Sequence, residues 1–259
     1  MKTLKGILVL IGATVASDWL IVLIPIDTLP IPDFMVGIMY HLVSAGFWVL
    51  LVKLLYPKVL ERFTYQFAKN KLKVSALVVS FFIFTPLLHV NFKTLALDQL
   101  LMSFAFTLSI GIDEEYFSRG LIFGAFEHLG IHKAALISSF HFGLLHFGNY
   151  IWGGQSLDYT LGQMVNAASF GYLCCGLMIY SGSILPSVIF HGFSDFPLFL
   201  QSKSDFISQV TGGTEWVPTL IQSSIYFVAG LILMNFECPS SIGRFTELAT
   251  KLGLIEKRD

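Results

Sequence analysis

Eight long apolar runs dominate the 259-residue chain and limit what it can fold into more than any other feature. They fall at 5–26, 34–56, 74–91, 95–126, 131–148, 159–181, 183–200 and 217–236. Crossing about 30 Å of hydrocarbon takes about 20 residues of helix, and most of these runs are of that order. Composition agrees: 54% of residues are hydrophobic and only 13% charged, against about 25% charged in a soluble domain. The expected fold is all-α, a polytopic membrane protein of about eight transmembrane helices around a buried polar cavity. No internal repeat or low-complexity tract divides the chain, so residues 1–259 read as a single integral membrane domain. A net charge of −1 leaves no nucleic-acid footprint.

Basic residues set an orientation, because cytoplasmic loops are enriched in Lys and Arg. Thirteen bases fall on one side of the alternating runs: Lys2, Lys5, Lys53, Lys58, Arg62, Lys69, Lys71, Lys73, Lys133, Arg244, Lys251, Lys257 and Arg258. Lys93 and Lys203 fall on the other side, and Arg119 lies inside a run. Both termini are therefore expected in the cytoplasm of a multi-pass cell-membrane protein. The polar stretch 57–73 alternates bases with aromatics and reads as an amphipathic helix on an anionic leaflet or as a solvated loop. The N-terminal stretch shares features with a secretory signal. However, apolar character resumes at Trp19 and runs to Ile26, so an uncleaved first span is expected. Cys174, Cys175 and Cys238 form no CxxC and no even framework, and the adjacent pair reads as small buried hydrophobes.

Against this background the segment "IGIDEEYFSRGLIFG", residues 110–124, stands out. A charge in hydrocarbon costs roughly 2.5 kcal/mol or more. Residues four apart on a helix share a face, so Glu115 and Arg119 can neutralise each other, while Glu114 points about 100 degrees away and has no in-helix cation. Asp113 reads as a flanking polar residue. Two further clusters interrupt later runs: "FHFGLLHFG", with His141 and His146, and "IFHGFSDFP", with His191 and Asp195 four apart. Each cluster alone has a structural explanation, such as a helix-bridging ion pair or a hydrogen-bonded core histidine. Three on three helices become tolerable together if they face one watered cavity, and converging Glu and His suggest water activation, proton transfer or metal binding.

The ordered set EExxxR (Glu114, Glu115, Arg119), FxxxH (Phe142, His146) and HxxxD (His191, Asp195) resembles the CAAX protease and bacteriocin-processing (CPBP, Abi) family of intramembrane endopeptidases, in its bacterial branch. The likeness covers about 114–195, within an expected catalytic core at about 95–200. It implies a peptidase in which Glu114 is the general base and His146 helps hold the water. His191 and Asp195 would stabilise the oxyanion, with Asp195 either protonated or only orienting His191. Glu115, Arg119 and Phe142 would support the site, and His141, which matches no family position, reads as structural. The expected substrate is a membrane-associated peptide or protein within the lipid bilayer, with peptide pheromone or bacteriocin processing and self-immunity as associated roles.

No metal is expected. The alternative is zinc held by Glu114, His146 and His191, since two His and a Glu make a known zinc set, although no HExxH is present. Span boundaries raise one conflict: Glu114 falls toward the cytoplasmic half of its helix and His146 near the outer end of its own. The expected remedy is a fifth span that starts deep or a fourth span broken near Gly111. Two other function classes compete with the protease reading. A proton-coupled transporter would use the same Glu and His as a relay, but no matching interrupted helices suggest an inverted repeat. A non-catalytic membrane scaffold or immunity protein would tolerate loss of the motif residues.

Overall fold

In the computed structural model the described residues are 1–23, 30–64, 69–88, 90, 92, 95–201 and 203–237, and among them there are helices and turns but no strands. The long helices sit on the apolar runs: α1 (Lys2–Leu23), α2 (Asp33–Leu55), α4 (Lys69–Leu87), α5 (Leu97–Glu115), α7 (Ile131–Leu145), α9 (Leu157–Ser181), α10 (Leu185–Asp195) and α12 (Trp216–Glu237). Shorter elements fill the connections: α3 (Pro57–Thr64), α6 (Phe123–Phe126), α8 (Gly148–Ile151) and α11 (Lys203–Thr211). Lys93, Arg244, Lys251, Lys257, Arg258 and Cys238, which entered the orientation and cysteine readings, lie outside the described residues, as does the end of the first run at 24–26. Of the amphipathic stretch 57–73, α3 takes the first half and the start of α4 the last residues, with 65–68 outside the described residues.

By length and composition, three helices among the described residues are able to cross a membrane: Asp33–Leu55, Leu157–Ser181 and Trp216–Asn235. The run 183–200 behaves differently from its expectation. Only 11 residues of it form α10, about 16 Å of helix, after which Pro197 (which cannot donate to a continuing helix) precedes a 3₁₀ turn at Leu198–Leu200. The outside of the helices is greasy. Leu77, Phe81, Phe84, Leu97 and Val217 are all largely exposed, a surface suited to lipid.

α9 is the central post. It packs along α7 and α12 and also touches α10 and α4, while α5 packs on α2 and α10. Its buried face joins two apolar clusters. One contains Trp48, Phe117, Phe123, Phe126 and Met178, and the other Phe142, Phe170, Phe190 and Tyr226. Cys174 and Cys175 are free thiols buried between these clusters, as small hydrophobes should be.

The fourth run is not broken at Gly111. α5 continues through a π-helical stretch, Tyr116–Ile122, into α6. Gly111 instead lets two helices touch: a Cβ there would lie 2.8 Å from the Val188 carbonyl oxygen and 2.9 Å from the Gly192 nitrogen, both on α10. This contact draws α10, and with it His191, onto the acidic turn of α5. The wider π turn begins one residue after Glu115; single π turns inside helices concentrate at functional sites.

Candidate active site

The conflict between helix depths dissolves once lengths are measured from a shared end. Near that end, Gly124 packs on Tyr56 and Val59, and Gly6 on Ala125 and Phe126, so the first turn of α1, the end of α2 and α6 are neighbours. From Phe126 back to Glu114 is about 18 Å of helix, and from Ile131 forward to His146 about 22 Å. The two groups are level because α7 is short, at 15 residues, whereas Leu97–Phe126 extends about 45 Å.

At this level the charged groups divide into two layers. In the first, Arg119 Nη1 lies 3.2 Å from Glu115 Oε1, with both side chains fully buried. The guanidinium sits 4.7 Å over the Phe142 ring, a cation–π contact in a dry site. Room for it comes from Gly171 on α9, where a Cβ would lie 2.7 Å from Nη2. Glu115 Oε1 also accepts a hydrogen bond from His191 Nδ1 at 2.8 Å. The motif acid that the spacing marks as a brace therefore braces a histidine as well as its own helix.

The second layer opens to a cavity of about 280 Å³ lined by Glu114, His146, Asp113, His41, Phe142 and Asn149, among others. Glu114 Oε2 lies 3.4 Å from His191 Nε2, and Asp195 Oδ2 3.6 Å from the same atom. The Glu114 side chain keeps 36% of its surface, against none for Glu115. Asp195 also borders a separate polar cavity of about 630 Å³ with Gln163, Asn166 and Ser194. Asn149 Nδ2 donates to Gln163 Oε1 at 3.0 Å, tying the walls of the two cavities together.

His146 is held by the way its helix ends. α7 tightens in its last turn, so the His146 backbone N–H donates to Gly143 O at 3.2 Å rather than to Phe142 O. The freed Phe142 carbonyl accepts from the His146 ring, Nδ1 at 2.9 Å. A carbonyl only accepts, so Nδ1 carries a proton, and the ring in its neutral form presents Nε2 as a bare lone pair. The Phe142 ring packs edge-on against both His146 and His191, with centroids at 5.0 and 5.7 Å. Phe142 is therefore a common wall for both histidines and for Arg119.

The motif residues Glu114, Glu115, Arg119, Phe142, His146, His191 and Asp195 thus gather from three helices, α5 with its π continuation, α7 and α10. His141 goes elsewhere: its Nε2 meets Thr14 Oγ1 at 2.8 Å, and because Thr14 donates to Leu10 O, the imidazole is the donor in that bond. Sequence reasoning missed His41 and its partner Asp113, joined at 2.8 Å between Nδ1 and Oδ2. The available signal was faint. Ser17, Tyr40, His41 and Ser44 are polar interruptions in the first two runs, and all four line the cavity.

The alternative zinc set, Glu114, His146 and His191, is not grouped as a metal site among the described residues. His191 turns Nδ1 to Glu115 and Nε2 to Glu114 and Asp195. Among the described residues no three His, Cys, Asp or Glu side chains are grouped to hold a metal ion.

Residues 96–197 match the family model for Rce1-like proteins, described as type II CAAX prenyl endopeptidase Rce1-like. All seven motif residues fall inside the matched segment. No curated protein and no solved structure matches the chain significantly.

Proposed function

We propose, starting from residues 96–197 as a domain of the CAAX protease family, that the chain is an intramembrane endopeptidase. It hydrolyses a peptide bond of a membrane-associated peptide or protein with water activated by glutamate and histidine. The observation that carries this reading is Glu114 sharing one cavity with His146 while lying 3.4 Å from His191. A general base has to be within hydrogen-bond reach of the proton it takes, directly or through one water.

In this reading a water sits between the Glu114 carboxylate and the bare Nε2 of His146. Glu114 removes its proton as the oxygen attacks the scissile carbonyl carbon. His191, fixed by Glu115 through Nδ1, directs Nε2 at the reacting side, where it aligns Glu114 and donates to the developing oxyanion. Asp195 shares that Nε2 and keeps the imidazole oriented. Arg119 and Glu115 hold this assembly from behind and meet no substrate. The protein sits in the cell membrane with several passes and both termini in the cytoplasm, and its substrates include peptide pheromones or bacteriocin precursors.

The test is purified protein in liposomes with a panel of membrane-associated host peptides, read by mass spectrometry, with Glu114→Gln beside it. Cleavage by the wild-type protein and none by the variant is the expected result. Cleavage at equal rates would remove Glu114 from its role. Addition of a chelator should leave turnover unchanged; loss that zinc restores would overturn the metal-free reading.

A further inference from the structure

We propose that His41, held by Asp113, is the general acid that protonates the leaving amine. It is a further catalytic residue supplied by α2, outside the matched segment, and the inference rests on the protease reading above. His41 Nδ1 lies 2.8 Å from Asp113 Oδ2, and the imidazole stands edge-on to Tyr40 and Phe106 with centroids at 5.2 and 5.7 Å. One acceptor and two ring walls fix its plane. Its Nε2 has no partner among the described residues and is not sealed off, and His41 lines the same cavity as Glu114 and His146.

His41 and His146 are therefore mounted alike, each held by Nδ1 and each lining the cavity, but on unlike acceptors. His146 rests on a neutral carbonyl. His41 rests on a carboxylate whose second oxygen, Oδ1, is buried without a hydrogen-bond partner among the described residues. A carboxylate behind an imidazole stabilises the imidazolium; a carbonyl does so far less. The difference divides the labour. His146 accepts a hydrogen bond from the attacking water, while His41 carries a proton.

The proton count closes. Water adds to the carbonyl carbon and passes one proton to Glu114. As the C–N bond breaks, the nitrogen electron pair takes the proton on His41 Nε2, giving a free amine. Glu114 then returns its proton to His41 through water, and the products are a carboxylic acid and an amine.

A leaving-group comparison tests this. A peptide that the panel identifies as cleaved is compared in liposomes with a copy carrying a thioester at the scissile position, because a thiolate departs without a proton. His41→Ala should lower amide turnover about 100-fold, the size typical of general acid catalysis, and thioester turnover less than about threefold. His41→Gln keeps a donor for Asp113 but has no transferable proton, so it should show the same split while unfolding at the wild-type temperature in detergent. Asp113→Asn should show the split more weakly. Equal loss on both substrates, or no loss on either, overturns the assignment of His41. Glu114→Gln should lose both substrates whatever His41 does, so a Glu114 loss without a His41 split leaves the protease reading standing and removes only this inference. A wild-type protein that cleaves no panel peptide overturns both.

Discussion

Glu114 and Glu115 are chain neighbours with opposite surroundings. The layer around Glu115 is dry: the carboxylate, Arg119 and most of His191 are buried and face one another. The layer around Glu114 is open to a cavity, and its side chain retains about a third of its surface. The dry layer shows how a membrane core tolerates ionic groups, by giving each a partner and covering the cation with an aromatic face. The open layer suits the role proposed for Glu114, since a base has to keep an unsatisfied lone pair within reach of water. One helical step of about 100 degrees separates the two solutions.

The largest effect should come from breaking the dry layer. Arg119→Leu leaves Glu115 charged and buried, which costs about 3–5 kcal/mol when one member of a buried pair is removed. Loss of folded protein in detergent, read by thermal unfolding and yield, is the expected outcome. Glu114→Gln tests the other layer: turnover should fall about 10³-fold, roughly 4 kcal/mol of barrier, with the unfolding temperature unchanged. Stability loss in this variant would mean that the wet layer is structural after all. Gly171→Ala crowds the guanidinium and should cost about 1–3 kcal/mol by overpacking, with a smaller fall in turnover because Glu115 and His191 move with Arg119. Thr14→Val removes the His141 bond at 2.8 Å together with the hydroxyl's own bond to Leu10 O. It should destabilise by about 1 kcal/mol and leave turnover alone, which would confirm that His141 belongs to neither layer.

Much of the site is legible in the motifs alone. Spacing of four placed Glu115 against Arg119 and His191 against Asp195, because the helical repeat is the same whether the helix lies in water or lipid. What spacing cannot report is which helix stands opposite. The bond between His41 and Asp113 joins residues 72 apart, and nothing local to either marks the other, so Asp113 read as a flank. Depth was lost for a related reason. An apolar run reports that a segment avoids water but not where its helix stops, so the ends of α7 and α10 within the fifth and seventh runs were invisible. Gly111 gave a signal with two readings, a break or a close approach, and only the presence of α10 against it decides for the second.

The stop at the end of α7 has one more implication. The same backbone carbonyl that the last turn sets free is the one that fixes the His146 ring, so the point where the coil unwinds is also the address of the nitrogen proposed to hold the water. Adding one turn to α7 would carry that nitrogen about 5.4 Å along the axis and return the carbonyl to an ordinary backbone partner. Segment length is thereby part of the chemistry, as binding as the identity of the side chain.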